Sequence, residues 1–63
     1  MLGLLPMVLR YTPEDRRLIR RYAEESAVRF GGDTPAKVLR RIRRGDLMMA
    51  DIRRSLRLWG CLA

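Results

Sequence analysis

The chain has 63 residues, with 14 Lys or Arg against 7 Asp or Glu, a formal net charge of +7. That length holds at most one small domain, and a domain of this size buries only roughly 60% of the surface its unfolded chain exposes. There is no His and a single Cys, Cys61. An intrachain disulfide is therefore excluded, no metal site is expected, and a homodimer is the expected source of further stability.

All the cations except Lys37 are Arg. Such an excess speaks about partners rather than fold. The planar guanidinium forms paired bonds to phosphate and is weakly hydrated, which suits nucleic-acid contact. A surface tuned only for solubility would not need so strong a preference for Arg.

Residues 1–9, MLGLLPMVL, are apolar but short. They lack a basic leading region and a small-residue cleavage site, so no signal peptide is expected. No run of about 18 apolar residues exists to form a membrane span. A cytoplasmic location is the expectation, and an unpaired thiol is consistent with it.

In chain order, Met7–Tyr11 alternates: Met7, Leu9 and Tyr11 share one face, Val8 and Arg10 the other. That period predicts a short strand. Thr12 is a good N-cap and Pro13 fits the first helical position. A helix is predicted from about Pro13 to about Arg29, with Leu18, Ile19, Tyr22, Ala23, Ser26, Ala27 and Phe30 on its inner stripe. Arg16, Arg17, Arg20 and Arg21 fall outside it. Arg16–Arg20 and Arg17–Arg21 are like-charge pairs one turn apart, offset by Glu24 and Glu25, and Glu25 also faces Arg29.

Gly31-Gly32 ends that helix. Thr34 caps a second one opened by Pro35, with Val38, Leu39 and Ile42 inward. Gly45 either ends this helix or lies within a longer one. Asp46 is placed to cap a third helix from about Leu47 to Trp59, with Gly60 just beyond. Met48 or Met49, Ile52, Leu56 and Trp59 form its stripe. The fold class expected is mostly α with one short β-strand. Residues 1–5 are an arm, 6–44 the core, and 45–63 a C-terminal helix or tail.

Three stretches carry a resemblance: V-L-R-Y-T-P-E-D at 8–15, L-I-R-R-Y-A-E-E at 18–25 and T-P-A-K-V-L-R-R at 34–41. Together they resemble the ribbon-helix-helix (Arc/MetJ-type) family of DNA-binding proteins. The resemblance implies that two chains pair their strands into an antiparallel ribbon, which a major groove about 12 Å wide admits. It further implies that Pro6, Val8 and Arg10 face DNA, with Arg10 reading bases. Met7, Leu9 and Tyr11 would then join Leu18, Ile19, Tyr22, Val38, Leu39 and Ile42 in the dimer core. Thr34, Ala36 and Lys37, at the start of the second helix, would anchor a phosphate. Arg40 and Arg41 would add backbone contacts. The apolar Pro6 and Val8, the long loop from Arg29 to Asp33 and the charged Arg43 depart from the family pattern.

The expected function is double-stranded DNA binding by a small dimeric repressor of a phage, plasmid or bacterial operon, or by an accessory protein at a transfer origin. Two other classes stay open. One is a cationic amphipathic protein acting on membranes or RNA, favoured by the apolar N-terminus, Trp59 and the arginine-rich helices. The other is an antitoxin-like interaction module gripping a protein partner through residues 46–59. No enzyme is expected: Cys61 has no candidate base nearby in sequence. No cofactor is expected either, since Gly31-Gly32 lacks a phosphate-loop spacing.

Overall fold

The computed structural model describes residues 11–62. They form three helices, α1 (Pro13–Phe30), α2 (Pro35–Arg43) and α3 (Met49–Leu58).

Local chemistry accounts for the start of α1. The Thr12 hydroxyl accepts from the Asp15 N–H at 3.0 Å, and the Asp15 carboxylate accepts from the Thr12 N–H at 3.3 Å. This reciprocal box satisfies two backbone donors that the helix leaves unpaired. Pro13 needs no donor at that position. Glu14 and Asp15 also sit in the positive first turn. The helix stops where Gly31 takes φ 84 and donates to the Ala27 carbonyl at 2.9 Å.

Thr34 repeats the device, accepting from the Lys37 N–H at 3.2 Å. After Arg43 the chain turns sharply. Gly45, at φ 82, donates to Ile42, and Asp46 donates to the Arg41 carbonyl at 2.9 Å. Gly45 therefore closes α2 rather than lying within a longer helix.

The third helix begins later than the sequence suggests. Asp46 does not cap it but pairs with Arg44 at 3.2 Å. Leu47 is drawn into the core in a non-helical conformation, so the helix starts beyond it. The cap comes from inside: the Asp51 carboxylate accepts from the Met48 N–H at 3.0 Å.

Both α2 and α3 pack on α1. Leu18, Ile19, Tyr22 and Ala23 of α1 meet Val38 of α2, and Leu47, Ile52 and Leu56 close the cluster. Val38, Ile52 and Leu56 are wholly buried, and each contributes roughly 1.5–3 kcal/mol by leaving water. Tyr11, Leu39, Ile42, Met49 and Trp59 pack around this centre, partly buried. Asp33 ties the glycine turn to both neighbours. Its carboxylate accepts from the buried Ser26 hydroxyl at 2.5 Å and lies 3.7 Å from Arg41. At the other end, Asp15 joins α1 to α3 through Arg53 at 3.2 Å.

These contacts overturn the ribbon-helix-helix expectation. Of the expected strand only Tyr11 is among the described residues, and it forms a bend. The described residues contain no strand, so the fold class is helical. The apolar faces of α1 and α2 are closed by Leu47, Ile52 and Leu56 of the same chain. The homodimer expectation rested on an isolated strand and on a core too small for one chain; no strand lies among the described residues, so pairing through a ribbon is lost as its basis. The fate of Phe30 also differs. It stands at the last position of α1, beside the exposed Gly31, and remains 75% exposed. Its ring lies 6.1 Å from that of Trp59.

Candidate binding groove between α1 and α2

Six of the described arginines are occupied by carboxylates. Arg21 and Arg29 share Glu25; Arg41 meets Asp33, Arg44 meets Asp46, Arg53 meets Asp15 and Arg54 meets Asp51. The Glu25 carboxyl is held below its usual range, chiefly by the hydrogen bond from Arg29 and further by the charge of Arg21. Arg29 also lies over the Trp59 ring at 4.6 Å from its centroid, a cation–π placement. Tyr22 stacks on Trp59 with centroids 5.5 Å apart. Arg29 and Arg53 thereby tie α1 to the α3 side, Arg41 holds the glycine turn to α2, and Arg21, Arg44 and Arg54 pair locally.

The α1–α2 side is different. Arg16, Ile19 and Arg20 of α1 and Pro35 and Leu39 of α2 line a hollow of about 180 Å³. A second, larger hollow of about 390 Å³ lies where α2 turns into α3, lined by Tyr11, Ile42, Arg43, Gly45, Leu47, Met48 and Met49. Arg16 links the two regions, since its guanidinium donates to the Tyr11 carbonyl at 3.4 Å. Among the described residues, no carboxylate side chain lies within 4.0 Å of Arg16, Arg20 or Arg43. The lining between these cations is mostly aliphatic or thioether, with Tyr11 and Gly45 at the larger hollow. A surface of this kind attracts anions and also desolvates apolar groups.

Helical spacing creates it. Arg16 and Arg20 lie one turn apart on α1, flanking Ile19, which is buried. Leu39 and Arg43 lie one turn apart on α2. When α2 packs on α1, Arg16 and Arg20 come to share the smaller hollow with Leu39, and Arg43, one turn on, comes to the larger.

The residues singled out from sequence fall in several places. Pro6, Met7, Val8, Leu9 and Arg10 lie outside the described residues. Leu18, Ile19, Tyr22 and Val38 are buried, while Tyr11, Leu39 and Ile42 pack against them partly exposed. Thr34 uses its hydroxyl as a cap. Lys37 turns its ammonium to the Gly32 carbonyl at 2.9 Å, and Arg41 is directed to Asp33. Ala36 and Arg40 are exposed on α2. The placement of Arg16, Arg20 and Arg43 at these hollows is not evident from the sequence. Their available signal was the like-charge pair beside Ile19, which costs an isolated helix a few tenths of a kcal/mol and so asks for a compensating anion.

No group of three or more Cys, Asp or Glu side chains gathers among the described residues as metal ligands would. No helix among them is long and apolar enough to cross a membrane. Comparisons with protein-family models, with curated proteins and with solved structures each find no match to this chain. Double-stranded DNA readout by a ribbon is withdrawn as a function, because the strand that would enter the groove is absent from the described residues.

Proposed function

We propose that this chain is a small helical binding module, not an enzyme, and that the α1–α2 groove receives an anionic partner. One observation carries the reading: Arg16 and Arg20 at the smaller hollow and Arg43 at the larger stand beside mostly apolar lining without a carboxylate partner, while five of the described acidic residues are engaged elsewhere. Uncompensated like charges at the rims of two hollows linked through Arg16 and Tyr11 raise the local potential. A bound anion relieves it.

Titration of the isotope-labelled full chain with poly-L-glutamate tests this. Amide shifts should concentrate at Arg16, Arg20, Leu39 and Arg43, and binding should weaken at high salt. The double variant Arg16→Glu/Arg20→Glu should lose roughly tenfold in affinity, given about 0.5–1 kcal/mol for each partly exposed ion pair. Arg17→Glu/Arg57→Glu changes the net charge equally at exposed positions outside the groove and should lose much less. Equal losses in the two double variants would refute the groove as the site.

A further inference from the structure

The groove also has a shape, and the shape selects among anions. Leu39, which lines the smaller hollow, and Arg43, which lines the larger, are separated by one turn of α2, about 6 Å along its axis. Arg16 and Arg20 repeat that interval on the opposite wall. An apposed helix presents apolar side chains at the same interval, at positions i and i+4. One would seat against Ile19 and Leu39. The next would enter the larger hollow beside Ile42 and the methionines. Acidic residues on the two flanks of that stripe would meet Arg16 and Arg20 on one side and Arg43 on the other.

From this, and resting on the groove reading above, we infer that the partner is a protein segment: an acidic amphipathic helix laid into the α1–α2 groove. The lining favours it. Met48 is 64% exposed beside the half-buried Met49. Unbranched thioethers adapt to the side chains of a docking helix, and such residues recur on helix-binding surfaces. A single-stranded nucleic acid would instead ask for flat aromatic platforms on which bases stack. Tyr11 is the one aromatic residue among the groove's described lining. The chain's own residues 1–10 are apolar enough for the larger hollow, yet they contain Arg10 and no acid, so they would leave the arginines uncompensated. A second copy brings the same cationic surplus.

The test uses the full chain and dye-labelled probes read by fluorescence anisotropy. The first probe is a designed helical peptide with Leu at i and i+4 and Glu along both flanks. The second is a scramble of the same composition, and the third an oligouridylate. The designed helix should bind about tenfold or more tighter than its scramble, the equivalent of one well-seated apolar side chain. Met48→Asp should remove most of that advantage. It places a carboxylate at the hollow, and Asp is a favoured residue at the N-cap position Met48 occupies, so α3 is retained. Equal binding of helix and scramble, with poly-L-glutamate still localised to the groove, would overturn the helix inference and leave the anion-binding reading standing. Tighter binding of the oligouridylate would overturn it in favour of a nucleic acid. Competition at similar affinity by a synthetic peptide of residues 1–10 would assign the hollow to the chain itself and overturn it too. Loss of groove-localised binding for every probe would refute the function together with the inference.

Discussion

Replacing Asp33 by Ala should destabilise this small domain out of proportion to its place in a loop. The carboxylate accepts from Ser26, which is only 3% exposed, and it also lies 3.7 Å from Arg41. A hydrogen bond to a charged acceptor is worth about 1.5–3 kcal/mol, and its loss leaves the Ser26 hydroxyl buried without a partner. The pair with Arg41 is partly exposed and adds less than about 1 kcal/mol. The sum is about 1.5–4 kcal/mol. A chain of this length has a total stability on the order of 3–9 kcal/mol, so roughly a sixth of it at the least would be lost. Since 1 kcal/mol shifts the melting temperature of so small a domain by about 4–8 °C, the fall should be roughly 6–30 °C. Thermal melts followed by circular dichroism read it directly. A double-mutant cycle with Ser26→Ala isolates the hydroxyl–carboxylate interaction and should return a coupling of about 1–2 kcal/mol. A coupling indistinguishable from zero would mean that the glycine turn is not held by this bond, and the reasoning would fail.

Two further outcomes are expected. Leu56→Ala should cost about 2–5 kcal/mol, because Leu56 is wholly buried, whereas Leu58→Ala, two residues away and 79% exposed, should change stability little; denaturant melts showing similar losses would place the face of α3 wrongly. The Glu25 carboxyl is depressed by Arg29 and Arg21, so its stabilising effect is present above the ordinary carboxylate range and is lost as pH falls through its folded-state value. Glu25→Gln should accordingly flatten the acid limb of the stability profile, and an unchanged limb would refute that role.

Capping chemistry was the most legible part of this chain. Thr12-Pro13 and Thr34-Pro35 start helices where sequence places them, because a hydroxyl three residues before a free N–H acts within a single turn. The pair Glu25–Arg29 was readable for the same reason. Features set by distant residues were not. Leu47 looked like the start of a helix, but the core claims it as a buried turn residue. Asp46 looked like a cap, but Arg44 holds it. Met7–Tyr11 offered only five residues of alternation, too few to establish a strand, and its one described residue is a bend leading into α1. The groove was the least legible of all. Arg16 and Arg20 read as an outward like-charge pair until α2 brings Leu39 alongside them.

The helices are unequal, and that inequality orders the folding process. At 18 residues α1 exceeds the length of roughly 12–15 below which isolated helices are marginal in water, while α2 and α3, at 9 and 10, fall short of it. Both short helices rest on α1, so each is expected to gain its helical order mainly by packing on it. The turns between them, 31–34 and 44–48, close short loops at little entropic cost. Such a chain has few obstacles between collapse and the native state, and its kinetics should resemble the fast, locally connected helical domains more than slow β-paired ones.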